Sequence, residues 1–259
     1  MSTQSELAAS FQALHVKGDP VILYNIWDAG SAKAVAEAGG KAIATGSAPV
    51  AMANGFSDGQ ALSMEFALAN AERIVGAVDL PVTLDFEGGY SEDPKTCGAN
   101  FAKALTTGVV GFNFEDQVVG GSGLHPVEDQ VARLRAARDA CDASGVAAFI
   151  NARTDVFLKA YAAKADVTPE MLDEALARAD AYAGAGASGF FAPGLMDLGM
   201  IEALCAKCTL PVNIIALPGA PSNQELAKVG VARISYGPVP YRKLYGQLTE
   251  HAKAVFDGS

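Results

Sequence analysis

The segment Leu84-Asp85-Phe86-Glu87-Gly88-Gly89-Tyr90 follows an apolar run, and about 25 residues later a second apolar run ends in Glu115-Asp116-Gln117, the spacing of one strand–helix unit. Carboxylates thus close two successive strands. The C-terminal mouth of a parallel α/β barrel is where catalytic side chains collect, and three carboxylates converging there suit a hard divalent cation. The pattern predicts a metal-dependent enzyme.

Outward from this segment, apolar β-rich runs alternate with Ala-rich stretches of helical period. Strands are predicted at 21–26, 41–45, 81–86, 110–114, 147–151, 188–192, 211–215 and 231–235, and helices at 4–16, 30–38, 63–78, 94–107, 126–143, 168–184, 197–207, 222–229 and 239–255. Gly39, Gly108, Gly145, Gly184 and Gly230 follow or end helices, where glycine tolerates the left-handed stop. A (β/α)8 barrel of the TIM type is the economical fold. The doubly wound sheet is the alternative, but no Gly-x-Gly-x-x-Gly turn follows the first strand, and no P-loop lysine motif occurs. Two long segments, Ser47 to Leu62 and Gln117 to Pro126, are read as loops over the catalytic face, where long loops serve as lids or clamps.

With 259 residues, 50% of them hydrophobic, the chain is expected to form one catalytic domain over residues 1–259. A net charge of -10 argues against nucleic acid or an anionic membrane as partner. The start, Met1-Ser2-Thr3-Gln4-Ser5-Glu6, has no basic or apolar stretch, and no apolar run is long enough for a membrane helix, so a cytoplasmic protein is expected. Cys97, Cys141, Cys205 and Cys208 are too sparse for a disulfide scaffold, and the lone Cys205-x-x-Cys208 lacks the second pair that zinc requires.

The blocks Trp27-Asp28-Ala29-Gly30-Ser31-Ala32, Thr45-Gly46-Ser47, Gly55-Phe56-Ser57-Asp58, Asp85 to Tyr90, Glu115-Asp116-Gln117 and Asn151-Ala152-Arg153-Thr154-Asp155 occur in one order over nearly the whole chain. Together they resemble the isocitrate lyase and phosphoenolpyruvate mutase superfamily. The resemblance implies Mg2+, with Mn2+ as a possible substitute, on Asp85, Glu87 and Glu115, some of them through water. It implies that Asp58 approaches the reacting group, that Thr45, Gly46 and Ser47 cradle a substrate carboxylate, and that Arg153 acts as substrate arginine. Trp27, Asp28, Tyr90 and Asn213 join the substrate-binding candidates, and His125, on its Gly-rich loop, joins Asp58 and Arg153 as a catalytic candidate. The ligand expected is a small anionic oxo acid. Family members exchange their last barrel helix between subunits, and Val239, Tyr241, Leu244, Leu248, Ala252 and Phe256 would suit such docking in a homodimer or homotetramer.

Plainer readings stand beside these. Arg153 could pair with Asp155 or Glu115, Asp116 could form a structural salt bridge while Glu115 faces the metal, Asp28 could cap a helix, and His125 could merely enter one beside Pro126. Three departures from the family narrow its function. The loop Val118 to His125 lacks the lyase Lys-x-Cys-Gly-His, Phe191-Ala192-Pro193-Gly194 lacks a Glu after the sixth strand, and Glu87 stands where the family has Asp. The leading expectation is a Mg2+-dependent lyase that cleaves a C–C bond in a small 2-hydroxy or 2-oxo dicarboxylate, by retro-aldol or decarboxylation, through a metal-stabilised enolate. The alternatives are P–C bond chemistry of the phosphonopyruvate type and a non-catalytic oxo-acid-binding barrel.

Overall fold

Each strand candidate forms a strand, and the eight pair in parallel, in a computed structural model that describes residues 2–258. The order along the chain is α1 (Gln4–Ala13), β1 (Val21–Leu23), α2 (Ala29–Glu37), β2 (Ile43–Ala44), α3 (Ser47–Ala53), α4 (Met64–Val75), β3 (Val82–Asp85), α5 (Pro94–Leu105), β4 (Gly111–Glu115) and α6 (Val127–Ala143). It continues with β5 (Phe149–Arg153), α7 (Val156–Ala163), α8 (Pro169–Gly184), β6 (Gly189–Phe191), α9 (Leu198–Lys207), β7 (Val212–Ile215), α10 (Asn223–Lys228), β8 (Arg233–Ser235) and α11 (Val239–Phe256). The sheet runs β1-β8-β7-β6-β5-β4-β3-β2. Its two ends meet where the Ile26 amide donates to the Ala44 carbonyl at 2.9 Å and the Gly46 amide donates to the Ile26 carbonyl at 3.2 Å. The fold is a (β/α)8 barrel of the TIM type.

Local chemistry sets the helix starts. Asp28, Ser63, Asp93, Thr168, Asp197 and Ser222 each accept a first-turn amide through the side chain, and Pro94 and Pro169 occupy first positions whose missing N–H is no loss. At the other end, Gly39, Gly108, Gly145 and Gly230 take the left-handed conformation. Gly184 does not. It closes α8 as a helical residue, and Gly186, at φ 93°, makes the turn instead.

Two helices were not expected. The first half of the Ser47-to-Leu62 segment is α3, and α7 follows β5 directly. The α7 stretch opens Val156-Phe157 and reads as strand by propensity. Burial of Val156, Phe157 and Ala160 overrides that preference.

Inside the barrel the pairing register places Asn113 beside Asn151, and Asn213 beside Arg233. Asn151 donates to Asn113 at 2.9 Å and across the barrel to Asn213 at 3.0 Å, while Arg233 donates to Asn113 at 3.0 Å. The crossing runs past Gly189, where a Cβ would lie 2.7 Å from the Phe149 ring and 3.0 Å from the Asn151 oxygen. Below this polar layer, α1 plugs the N-terminal mouth. Phe11 is fully buried, His15 stacks on Phe149 at 3.9 Å between ring centres, and the Arg233 guanidinium lies 6.0 Å from the Phe11 ring.

Burial of His15 lowers its pKa from 6.5 to about 3. An unfolded chain therefore protonates this histidine over a range where the native state does not, so its stabilising contribution is complete above pH 6.5 and is lost as pH falls. We expect His15→Phe, which keeps the ring stack, to remove one proton from the acid dependence of unfolding. By denaturant titration at pH 6.5 and pH 5, the native protein should lose about 2 kcal/mol more than the variant. Equal losses would show that His15 titrates normally.

Candidate active site

Asp85 ends β3 at the C-terminal mouth. Its amide donates to Thr45 Oγ1 at 2.8 Å, and its Oδ2 accepts from the Ser47 amide at 2.9 Å. The other oxygen, Oδ1, is buried and has no partner. Burial is the largest effect on this carboxyl and raises its pKa, against the pull of Arg153. The Thr45-Gly46-Ser47 turn was expected to offer its amides to a ligand. It spends them within the fold, on Thr83, Ile26 and Asp85, because barrel closure and the carboxylate claim them first.

Beyond Asp85 the chain turns sharply, with Glu87 at φ 49° and Tyr90 at φ 56°. Left-handed backbone at two side-chain-bearing residues costs about 1 kcal/mol or more each and is held only where surroundings enforce it. Gln60 is one enforcer. Its amide donates to Glu87 Oε2 at 2.7 Å, and its side-chain oxygen, turned inward, accepts from the Gly88 and Tyr90 amides at 3.0 and 3.1 Å. Burial, then the charge of Asp85, pushes Glu87 up to about 8.

Glu115 ends β4 directly beside Arg153 at the end of β5. Arg153 Nη1 sits 2.8 Å from Glu115 Oε2, while Nε and Nη2 grip both oxygens of Asp155 at 2.6 and 2.8 Å. Both plainer pairings of Arg153 are therefore realised together. Burial raises Glu115 to about 8 despite this cation. Asp116 faces away, fully buried, and accepts from Tyr182, Arg178 and the Asp155 amide. It is structural.

One helix fastens both acidic strand ends. From α6, Gln130 donates to the Glu115 carbonyl at 3.2 Å, and the buried Arg133 donates to the Gly88 carbonyl and, at 2.5 Å, to Gln130. From α5, Asn100 holds the Gly89 carbonyl at 3.0 Å. Sequence reading missed Gln60, Gln130 and Arg133. A polar residue on the barrel-facing stripe of a helix was the available signal for Gln130 and Arg133.

A cleft of about 220 Å³ opens over Asp85 and is lined also by Ser47, Asp58, Asn113, Arg153 and an apolar wall, and it adjoins a second recess lined by Asp58, Glu87, Glu115, Gln117 and Val119. The Gln117-to-Pro126 segment folds as a tight hairpin, with Gln117 bridged to Leu124 and the Val118 amide bonded to the Gly123 carbonyl at 3.1 Å. Tyr90 faces a small adjoining recess with Thr45, Asp85 and Glu87.

Four expected residues lie elsewhere. Trp27 packs edge-on against Tyr241 at 5.1 Å, and Asp28 caps α2 by accepting from Ser31, because β1 ends before them and the chain already turns outward. His125 is buried short of the cleft, tied through its backbone to Asp116 and Arg178. Asn213 lies fully buried in the interior polar layer, and Asn113 reaches the cleft in its place. The four thiols are free and buried, and burial pushes Cys97 and Cys141 up to about 11 and Cys205 up to about 12, as packing residues.

Residues 11–256 match the phosphoenolpyruvate phosphomutase family. The chain belongs to that family. An uncharacterized protein of Mycobacterium tuberculosis is 32% identical over 250 residues, covering 96% of this chain and 90% of its own. The 2-methylisocitrate lyase of Escherichia coli is 27% identical over 259 residues, covering 95% and 83%. A Burkholderia cenocepacia crystal structure, provisionally assigned as a phosphonomutase, superposes with a TM-score of 0.92 at 46% identity, covering 99% and 100%. As a phosphoenolpyruvate phosphomutase family member, within the isocitrate lyase and phosphoenolpyruvate mutase superfamily, the protein is an enzyme of a lyase and mutase group. No helix among its described residues is long and apolar enough to cross a membrane.

In this family member the acid-raised Glu87 gives a signed pH dependence. Native Glu87 keeps its proton between pH 4.5 and about 8, where the unfolded chain has released it. Stability from this group is complete below that window and is lost as pH rises through it. Thermal denaturation in chelator should show a falling Tm from pH 5 to 8, and Glu87→Gln should flatten the fall. An identical decline in both proteins would place the titrating group elsewhere.

Proposed function

We propose that the protein is a Mg2+-dependent lyase that cleaves a C–C bond in a small 2-hydroxy or 2-oxo dicarboxylate. The observation that carries this reading is the unpartnered, buried Oδ1 of Asp85, whose charge acts on Glu87 and Glu115, both raised to about 8 chiefly by burial. A desolvated acidic cluster with a free oxygen calls for a cation. Among the described residues no three His, Cys, Asp or Glu side chains form a complete ligand group. Mg2+ commonly takes one or two carboxylates and keeps several waters, so Asp85 fits as its direct ligand, with Glu87 and Glu115 reached through water. Bound there, the cation would supply positive charge to an enolate oxygen, worth several kcal/mol.

The chain's own residues divide the remaining work. The Asp85–Ser47 bond and the Gln60–Glu87 bond hold the carboxylates in place, and the Gln117-to-Leu124 hairpin walls off water beside Glu115. Asp58 lines both recesses, and among the described residues its carboxylate has no hydrogen bond or ion pair. It is the group free to take a proton from a substrate hydroxyl in a retro-aldol step, or to return one to carbon.

P–C bond chemistry is the second reading, favoured by the 46% likeness to the provisional phosphonomutase. A panel of 2-hydroxy and 2-oxo dicarboxylates, followed by pyruvate or carbon dioxide release, tests the first; phosphorus NMR with phosphonopyruvate tests the second. We expect Asp85→Ala to abolish Mg2+-dependent turnover and Mg2+-induced thermal stabilisation while leaving circular dichroism unchanged. Turnover that survives chelation would overturn the metal reading.

The partner we propose is a second copy of this chain. On α11, Leu244, Leu248 and Phe256 are 52, 65 and 85% exposed, while the outer face of β1 leaves Ile22 and Tyr24 bare beside apolar grooves lined by Leu14, Val35, Pro240 and Leu244. The first turns of α11 line one groove through Pro240 and Leu244 while Leu248 and Phe256 farther along stay bare, which suits exchange of the exposed remainder of the helix between copies. Light scattering should find a dimer or tetramer, and Leu244→Glu with Leu248→Glu should shift it to monomer. A native monomer at micromolar concentration would contradict the exchange.

A further inference from the structure

Arg233 is a buried cation that the chemistry above leaves without a task. It lies inside the barrel, 1% exposed, and among the described residues it has no carboxylate partner and its Nε and Nη1 meet no acceptor. Burial lowers its pKa to about 9 even with Asp85 pulling the other way, so the charge costs the fold. What it does hold is Asn113. Arg233 Nη2 and Asn151 Nδ2 both donate to Asn113 Oδ1, at 3.0 and 2.9 Å. A guanidinium can only donate, so the oxygen of Asn113 must face Arg233 and its Nδ2 must face the other way. That side is the cleft, which Asn113 lines together with Asp85, its register partner on β3. Two polar neighbours in the cleft are already engaged: Asn25 donates to the Thr45 carbonyl and accepts two amides, and Ser235 donates to Asn213. Asn113 Nδ2 donates to no protein acceptor among the described residues.

We propose that Asn113 is a substrate-binding residue whose side-chain amide donates to the oxygen on which enolate charge develops, and that Arg233 is the positioning residue that turns this amide toward the cleft. The proposal rests on the lyase reading and adds to it a neutral donor from the protein. An enolate oxygen held beside Asp85 needs a donor that brings no negative charge of its own, and an amide N–H already fixed in direction needs no reorganisation to meet it. The guanidinium bond to Oδ1 also polarises the amide, and hydrogen bonds in such a chain strengthen one another in a low-dielectric interior. A buried cation thus reaches the substrate through a neutral side chain. An arginine placed directly among these carboxylates is taken up by them, as Arg153 is by Glu115 and Asp155.

Titration calorimetry with oxalate, a planar enolate mimic, tests this at saturating Mg2+, with Mg2+ affinity measured separately on each protein. Asn113→Leu, which is neutral and of similar size, should weaken oxalate about tenfold, in keeping with one hydrogen bond to a charged group, while Mg2+ affinity stays near native. Arg233→Met should weaken oxalate by a smaller factor and leave Tm in chelator at or above the native value. Because Arg233 acts through Asn113, adding Arg233→Met to Asn113→Leu should weaken oxalate no further. This double variant leaves no cation in the polar layer, and it carries the comparison with the native protein if a single variant folds poorly. Native-like oxalate affinity in Asn113→Leu or in the double variant, or a native protein that binds no oxalate with Mg2+ present, would overturn the binding role. Equal losses of Mg2+ and oxalate affinity would instead assign the amide to Asp85, and additive losses would show that Arg233 does not act through Asn113. Failure of the metal reading shows separately, as oxalate binding by the native protein that needs no Mg2+.

Discussion

The top of this barrel depends on one ion-pair knot, Arg153 held between Glu115 and Asp155. Carboxylates this deep are strongly penalised by desolvation, and a single guanidinium cannot neutralise all of them. Arg153 fixes Glu115 in place and fixes the start of α7 through Asp155, but it leaves Asp85 and Glu87 without a cation of their own. The result is a pocket of carboxylates short of positive charge, which is the basis of the divalent-cation site proposed above. The arginine thus sets the carboxylates in place while itself lining the cleft.

That arrangement needs support from below and from the side. The interior layer of Asn113, Asn151, Asn213 and Arg233 replaces the apolar filling usual in such barrels, and its bonds run across strands rather than along them. Arg233 is buried without a carboxylate partner, and burial lowers it to about 9 while Asp85 opposes that shift. The negative cluster above and the buried cation below therefore stabilise each other. Laterally, Gln130 and Arg133 tie the backbone of both acidic strand ends to α6. Left-handed Glu87 is tolerated because three separate elements, carrying Gln60, Asn100 and Arg133, hold the turn around it.

The glutamate at position 87 and the missing loop cysteine take on meaning in this setting. The longer side chain reaches back to the Gln60 amide and so joins the α3-to-α4 connection to the acidic cluster. The hairpin from Gln117 to Leu124 carries no ionisable side chain into the recess. It is a wall, and the proton transfer proposed above rests on Asp58, which lines both recesses.

Much of this was legible in the chain itself. Alternation of apolar and Ala-rich runs with glycine stops determined eight strand–helix units, and in a parallel barrel the last residue of every strand faces the same mouth, so Asp85, Glu115 and Arg153 were placed there by their position alone. Asp28 as a helix cap was equally readable, since capping is a local interaction. Tertiary structure decided the rest. Whether the turn amides of Thr45 to Ser47 serve a ligand or Asp85, whether Asn113 or Asn213 reaches the cleft, and whether Val156-Phe157 continues as strand or helix depend on strand stagger and burial, which no local period encodes. Gln60 and Arg133 come from distant points of the sequence and converge on Gly88 only when the barrel closes. A sequence names the residues at a strand's end by counting; it names their neighbours only once the chain has folded back upon itself.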